Sequence, residues 1–190
     1  MKQRKLLVLT LVLLSAMPLL THAQGAGIEW DILNQETMDL YQAGKYDRAV
    51  VVARKALQVA EQNVGPHHPD VALSLNNLAV LYKTQGDTAR AEPLMKRALA
   101  IKEKTLGPNH PDVALSLNNL AVLYKTQGDT ARAEPLYERS LAIRKKALGP
   151  DHPDVALSLE NLAALYRATK RGSEAGALEQ RAAKIRAIKR

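Results

Sequence analysis

An unchanged internal repeat is the feature that most limits what this chain can fold into. Residues 68–94 recur without a substitution at residues 110–136, 42 positions later, and a diverged third copy begins at His152. A period of roughly 20 to 50 residues is typical of arrays of small units, each of which buries its apolar face only against its neighbours. The repeat therefore predicts a linear array and not a globular core closed around a pocket.

The composition agrees with an array of closely packed helices. The chain has 190 residues and is 46% hydrophobic, with no Phe and one Trp, so its apolar content comes largely from Ala and Leu. Thin layers of such small side chains suit flat packing of helix on helix. Because the chain has no Cys, the sequence excludes disulfides, thiolate catalysis and metal sites with Cys ligands.

The first 23 residues have the pattern of a secretory signal peptide. Lys2, Arg4 and Lys5 precede an apolar run, residues 6–20, and Ala23 supplies a small residue for cleavage before Gln24. The alternative is an uncleaved membrane anchor, but a membrane-spanning helix needs about 20 apolar residues. We therefore expect a bacterial protein that is exported to the periplasm or secreted, with membrane contact only if the leader stays uncleaved.

The positive charge of the chain is concentrated near its end. The whole chain has a net charge of +8, and removing the leader, which carries three positive charges and no negative one, leaves +5. Residues 167–190 contain eight Lys or Arg but only two acidic residues. This basic end indicates either contact with an acidic partner or the solvated outer face of a terminal capping helix, which repeat arrays require. The absence of interleaved aromatic residues argues against binding to nucleic acid.

Each repeat has the periodicity of two helices. In the second repeat, helix A is predicted over about Pro69 to Thr84, and apolar residues recur in it at i, i+3, i+4 and i+7. Gly86 is suited to the turn and Asp87 to capping helix B, which runs to about Leu106. Pairs of antiparallel helices are therefore expected to follow one another along the chain.

A proline in helix B conflicts with this pattern. Pro93, repeated as Pro135, falls beyond the first turn if Asp87 is the cap, where it removes a backbone hydrogen bond at a cost of about 3 kcal/mol. We expect either a kink or a late start of helix B. In the second case residues 87–90 form a separate turn, and the regular helix begins near Ala91.

The segment LNNLAVLYKTQGDTARAEPLMKRALAI, residues 75–101, resembles the tetratricopeptide repeat (TPR), in the 42-residue variety seen in kinesin light chains and many bacterial proteins. The resemblance implies an all-α fold, a right-handed α-solenoid of antiparallel helix pairs (a TPR superhelix) with about four units. The signal peptide, residues 1–23, would be followed by a divergent first unit, 24–68, two regular units, 69–110 and 111–152, and a degenerate C-terminal or capping unit, 153–190. In the last unit Lys170 stands where the turn Gly is expected, and Glu179 occupies the position of a large residue.

Three sets of recurring residues could suggest catalysis or metal binding: His68, His110 and His152; Asp70, Asp112 and Asp154; and Ser74, Ser116 and Ser158. Residues that recur once per repeat lie at equivalent places along an array, so they do not converge on one reacting atom. We interpret His-Pro-Asp as part of the connector between repeats, although His67 beside His68 leaves room for an adventitious metal contact. The sequence predicts no enzyme, no cofactor, no resident metal and no small-molecule substrate.

A polar stripe on helix A is the best candidate for a binding site. Leu73, Asn76, Val80 and Lys83 share a stripe that is turned away from the packing face, and Asn77 borders it. In the family, helix A lines the concave groove that holds partner peptides. The resemblance therefore implies the groove residues Asn76, Asn77, Val80, Lys83, Asn118, Asn119, Val122, Lys125, Asn161, Ala164 and Arg167.

The chemistry of these side chains suits an extended peptide. Asn offers both a donor and an acceptor to a peptide backbone, and Lys or Arg can bind a carboxylate. In the fourth unit Glu160 replaces the first Asn and would repel acidic groups. Alternatively, the paired Asn side chains tie neighbouring helices together, and the Lys positions are ordinary solvated surface.

The sequence thus favours a non-catalytic scaffold that binds a protein or peptide partner, which we expect to carry acidic residues. Two other hypotheses remain. One is a cell-envelope component that self-associates through an apolar edge of its last helix, and the other is an enzyme subunit, for which no non-repeated polar cluster is found.

Overall fold

The computed structural model describes residues 27–188, so the predicted signal peptide, residues 1–23, lies outside the described part of the chain. Within residues 27–188 there are eight α-helices and no strand. The helices are α1 (27–42), α2 (Tyr46–Val64), α3 (Pro69–Thr84), α4 (Thr88–Leu106), α5 (Pro111–Thr126), α6 (Thr130–Leu148), α7 (Pro153–Ala168) and α8 (Gly172–Ile188). None of the helices in this described range has an apolar stretch long enough to cross a bilayer.

Local chemistry sets the ends of the helices as the repeat predicts. Helix A of the second repeat is α3, Pro69–Thr84, and helix B is α4, which ends at Leu106. Gly86 has φ 80°, a left-handed backbone conformation that closes the A helix. The Asp87 side chain accepts a hydrogen bond from the backbone N–H of Arg90, which caps α4. The predicted bounds of helix A and the predicted end of helix B are confirmed.

The expected late start at Pro93 is wrong. Helix α4 begins at Thr88, directly after its Asp87 cap, and continues through Pro93, and α6 continues in the same way through Pro135. The backbone N–H of Ala91 donates to the carbonyl of Asp87 over 3.2 Å, so the first turn is already helical. The cap and the apolar face of the helix together outweigh the loss of one backbone hydrogen bond.

The chain divides into two compact units, and the boundary lies within α3, between Ser74 and Leu75. In the first unit, Leu33 of α1 packs against Ala56 and Val59 of α2, and Trp30 lies against this cluster. The indole Nε1 of Trp30 donates to Ser74 Oγ over 2.8 Å. The divergent first repeat is therefore a regular helix pair with a small core of its own.

In the second unit, residues 75–188, each helix from α4 onward packs on the next helix along the chain. Val113, Ala114 and Leu117 of α5 form a buried cluster with Ile143 of α6. Ala91, Ala121 and Ala133 have no exposed surface, as expected for small residues at places where helices approach closely. The fold is an all-α TPR-type solenoid, as predicted.

The turn of the last repeat contains a strained residue. Lys170 has φ 63°, the only positive φ at a non-glycine residue between 27 and 188, and it stands where Gly86 and Gly128 stand in the earlier repeats. A left-handed backbone costs an L-residue roughly 1–2 kcal/mol. We therefore expect Lys170→Gly to raise the free energy of unfolding by about 1 kcal/mol, measured by urea denaturation. The reverse change, Gly128→Lys, should lower it by a similar amount, since a Cβ at Gly128 meets no atom within 4 Å; equal stabilities of all three proteins would contradict this account.

Candidate partner-binding face

The predicted groove residues lie on α3, α5 and α7, all within the second unit. We call this surface the A-helix face: Asn76, Asn77, Val80, Lys83, Asn118, Asn119, Val122, Lys125, Asn161, Ala164 and Arg167. Ala164 and Arg167 are exposed, Asn118 is buried at 6% exposure, and the other members are partly buried. Most of this face is therefore only partly open to solvent.

One pair of amides on this face joins adjacent repeats. Asn161 Nδ2 of α7 donates to Asn118 Oδ1 of α5 over 2.8 Å. This is the tie between helices that the sequence left open as the alternative role of the paired Asn residues. The bond uses one group of each amide, so the Asn118 NH₂ and the Asn161 carbonyl oxygen keep their own hydrogen-bonding capacity.

The cationic residues of the face differ between repeats. Lys83 and Lys125, in the last turns of α3 and α5, have no ion pair among the described residues. Arg167, at the equivalent place in α7, forms a two-pronged ion pair with Glu179 of α8, with N–O distances of 3.0 and 2.6 Å. Lys83 and Lys125 are therefore the groups that remain available to a partner's carboxylate.

Two leucines that sequence reasoning did not include among the groove residues also belong to this surface. Leu115 of α5 and Leu157 of α7 are 44% and 41% exposed. Leu73 occupies the same repeat position in α3, within the first unit, and is 44% exposed. The repeat period predicts both, because they occupy the position of Leu73, which shares the stripe of Asn76 and Lys83. Leu115 is two helical turns from Val122, so both lie on one side of α5.

The recurring His, Asp and Ser residues are held by helix ends and packing. Nδ1 of His110 and Nδ1 of His152 accept hydrogen bonds from the backbone N–H of Asp112 and Asp154, which caps α5 and α7. Ser158 donates to the carbonyl of Asp154 over 3.1 Å, and Arg144 donates to its hydroxyl over 2.8 Å. Among the described residues, no three His, Asp or Glu side chains are grouped so that they could hold a metal ion.

A cluster around Tyr124 links the turn of one repeat to helix B of the repeat before it. The guanidinium of Arg132 lies 4.1 Å from the centre of the Tyr124 ring, and both side chains donate to Glu92 Oε1, over 3.1 and 3.0 Å. The hydrogen bond from Lys96, followed by that from Tyr124, holds the pKa of Glu92 below its usual value.

In the next repeat Arg171 lies 3.7 Å from the ring centre of Tyr166 and binds the equivalent glutamate, Glu134. These charged groups therefore pair with one another within the protein.

Four of the six Lys and Arg residues between 167 and 188 pair with carboxylates within the chain: Arg167, Arg171, Arg181 and Arg186. Arg186 of α8 binds Glu160 of α7 through two hydrogen bonds of 2.7 and 2.8 Å, and Arg181 binds Asp151.

Helix α8 has Glu179 and Ala183 at the repeat positions where α6 buries Tyr137 and Leu141. At these two positions α8 therefore has one charged and one small side chain in place of two large apolar ones.

Comparison with known proteins places most of the chain in one family. Residues 37–104, 113–154 and 155–188 match descriptions of the tetratricopeptide repeat. BtubC (BKLC) from P. vanneervenii is 32% identical, with a TM-score of 0.78 over 84% of this chain and 63% of that protein. The present chain thus spans less than two thirds of that relative.

A second similar structure comes from another organism. A kinesin-light-chain-like protein of Podosopora anserina with nearly identical TPR-like repeats is 27% identical, with a TM-score of 0.73 over 85% of this chain and 76% of that one. No curated protein sequence is significantly similar to the chain.

Proposed function

Because the chain belongs to the tetratricopeptide-repeat family and is of the kinesin-light-chain type, whose repeats mediate protein–protein interactions, we propose that it is a non-catalytic scaffold whose A-helix face binds an extended segment of another protein. The observation that supports this most directly is the recurrence of amide and lysine side chains at equivalent places on successive A helices. Identical subsites in series suit several weak contacts along one segment better than a single deep pocket.

The unpaired lysines indicate the charge of the partner. Lys83 and Lys125 have no carboxylate partner among residues 27–188, whereas Arg132, Arg167 and Arg171 are bound to glutamates of the same chain. A segment with carboxylates near its point of contact would therefore gain charge-assisted hydrogen bonds at Lys83 and Lys125. We expect the partner segment to be acidic on the side that faces these two residues.

The binding proposal is tested by charge reversal. The double variant Lys83→Glu and Lys125→Glu should lose about tenfold or more in affinity, because like charges then face each other across the interface. The matched control is Lys145→Glu with Lys146→Glu, exposed lysines of the last turn of α6 that give the same change in net charge. The measurement compares partners recovered from a bacterial envelope extract by the wild type and both variants. Recovery of the same partners by all three proteins would exclude the A-helix face as the contact surface.

We also propose that the protein is exported from a bacterial cell, on the basis of the basic start and apolar run of residues 1–23. The full-length protein, expressed in a bacterium, should then be recovered from the periplasm or the medium with Gln24 as its first residue, as determined by N-terminal sequencing. A protein that keeps Met1 and stays with the membrane fraction would instead support an uncleaved anchor.

A further inference from the structure

The exposed leucines of the A helices are unusual for their place in the repeat. In α5, Val113 and Leu117 have no exposed surface, whereas Leu115 between them is 44% exposed, and in α7 Leu157 is 41% exposed in the same position. A single exposed Leu needs no explanation. Two at one repeat position on neighbouring helices, with Val122 and Ala164 two turns later on the same side, make an apolar strip of two rows across the second unit, and the hydrogen-bonded Asn118 and Asn161 lie between the rows.

The two edges of this strip carry opposite charges. Asp112 and Asp154 lie in the first turns of α5 and α7, with 58% and 52% of their side chains exposed. Lys125 lies in the last turn of α5, at the other edge. A segment that crosses the helices would therefore meet carboxylates on one side, apolar surface beneath it and an ammonium group on the other side.

The spacing of the helices indicates how often the segment must present an apolar side chain. Helices α5 and α7 are in direct contact through Asn118 and Asn161, and helices in contact pack about 8–10 Å apart. Leu115 and Leu157 occupy the same position on these two helices, so we expect them to be about that far apart. A polyproline II segment rises about 3.1 Å per residue with three residues per turn, so side chains on one side of it recur about every 9 Å.

We propose that Leu115 and Leu157 each receive one apolar side chain from an extended protein segment in which these side chains are three positions apart. The residues between them then point to the two edges, and a cationic residue faces Asp112 and Asp154 while an anionic residue faces Lys125. This inference rests on the proposed scaffold function and specifies the chemistry of the partner. It also sets the direction of the segment, because the order of acidic and basic residues decides which end lies over α5.

The test uses random 12-residue peptides displayed on phage, selected on the protein comprising residues 24–190. Enriched sequences should carry apolar residues at positions i and i+3 with an acidic and a basic residue between them. The most enriched peptide, labelled with fluorescein, is then titrated by fluorescence anisotropy. The double variant Leu115→Ser and Leu157→Ser should bind it at least about tenfold more weakly.

The matched control is Leu106→Ser with Ile188→Ser, which removes two exposed apolar side chains of the second unit that lie outside the A-helix face, at 39% and 64% exposure. This control should bind the peptide as the wild type does. Circular dichroism of each variant checks that the helices remain folded.

Two outcomes would overturn the inference in different ways. If binding is lost in the Lys83→Glu and Lys125→Glu variant but not in the leucine variant, the A-helix face binds peptides without the apolar strip. If no enriched peptide distinguishes either variant from the wild type, both the strip and the proposed scaffold face fail.

Discussion

Replacing Leu117 by Ala is expected to lower the free energy of unfolding by about 3 kcal/mol. Leu117 has no exposed surface and packs with Val113, Ala114 and Ile143 between α5 and α6. Removing its three terminal carbons forfeits buried apolar area and leaves a cavity that close-packed neighbours fill only in part. The loss is measured by urea denaturation followed by far-UV circular dichroism, since Trp30 fluorescence reports on the first unit.

Leu115→Ala is the matched control for this prediction. It makes the same chemical change two residues away on the same helix, but Leu115 is 44% exposed. We expect it to cost less than about 1 kcal/mol, as is usual for surface substitutions. Equal losses for the two variants would mean that Leu115 is covered in solution, and the apolar strip proposed above would then be unavailable to a partner.

The helix pairs could be predicted from the sequence because their determinants are local. Each helix end depends on a residue close to it in sequence. These residues are the Pro at the start of helix A, Gly86 in the turn and Asp87 as the cap of helix B. The 42-residue period then transfers each boundary from one repeat to the next. The sequence left a kink and a late start of helix B open, because it gives the intrinsic cost of Pro93 but not the packing that holds α4 together from Thr88 onward.

The sequence could not predict which side chains of the A-helix face form hydrogen bonds or ion pairs with residues far away in the chain. Lys125 and Arg167 are equivalent in the repeat, yet only Arg167 has a carboxylate partner, Glu179 of the following helix. Asn118 and Asn161 are 43 positions apart and share one hydrogen bond. Periodicity places side chains on a face, but it does not show which of them are already bound within the chain.

The sequence also could not predict that Arg144 is buried between α6 and α7. In sequence, Arg144 is one more basic residue near the end of a helix, where cations are common. In the structure it is 4% exposed and donates to two groups of α7. Its equivalent one repeat earlier is Lys102, and the first repeat has Ala60 there, so the position tolerates different side chains at different junctions.

Replacing Arg144 by Ala is therefore expected to lower the free energy of unfolding by about 3 kcal/mol. NH1 of Arg144 donates to the carbonyl of Asp154 over 3.1 Å and to Ser158 Oγ over 2.8 Å. Hydrogen bonds from a charged donor contribute about 1.5–3 kcal/mol, and the buried stem of Arg adds packing that Ala lacks. Burial lowers the pKa of Arg144, but Arg remains protonated at any accessible pH, so the expected loss does not depend on pH between 5 and 9.

Lys102→Ala is the control, because it removes a cation from the same position of the preceding repeat. Burial also lowers the pKa of Lys102, and no hydrogen bond of its ammonium group occurs within residues 27–188. The buried ammonium group of Lys102 therefore loses hydration without gaining a hydrogen bond. We expect Lys102→Ala to lower the free energy of unfolding by less than about 1 kcal/mol. Arg144→Lys should fall between the two, since Lys keeps the charge without the planar fork. If Arg144→Ala were no more destabilising than Lys102→Ala, the two hydrogen bonds to α7 would contribute nothing, and packing alone would hold this junction together.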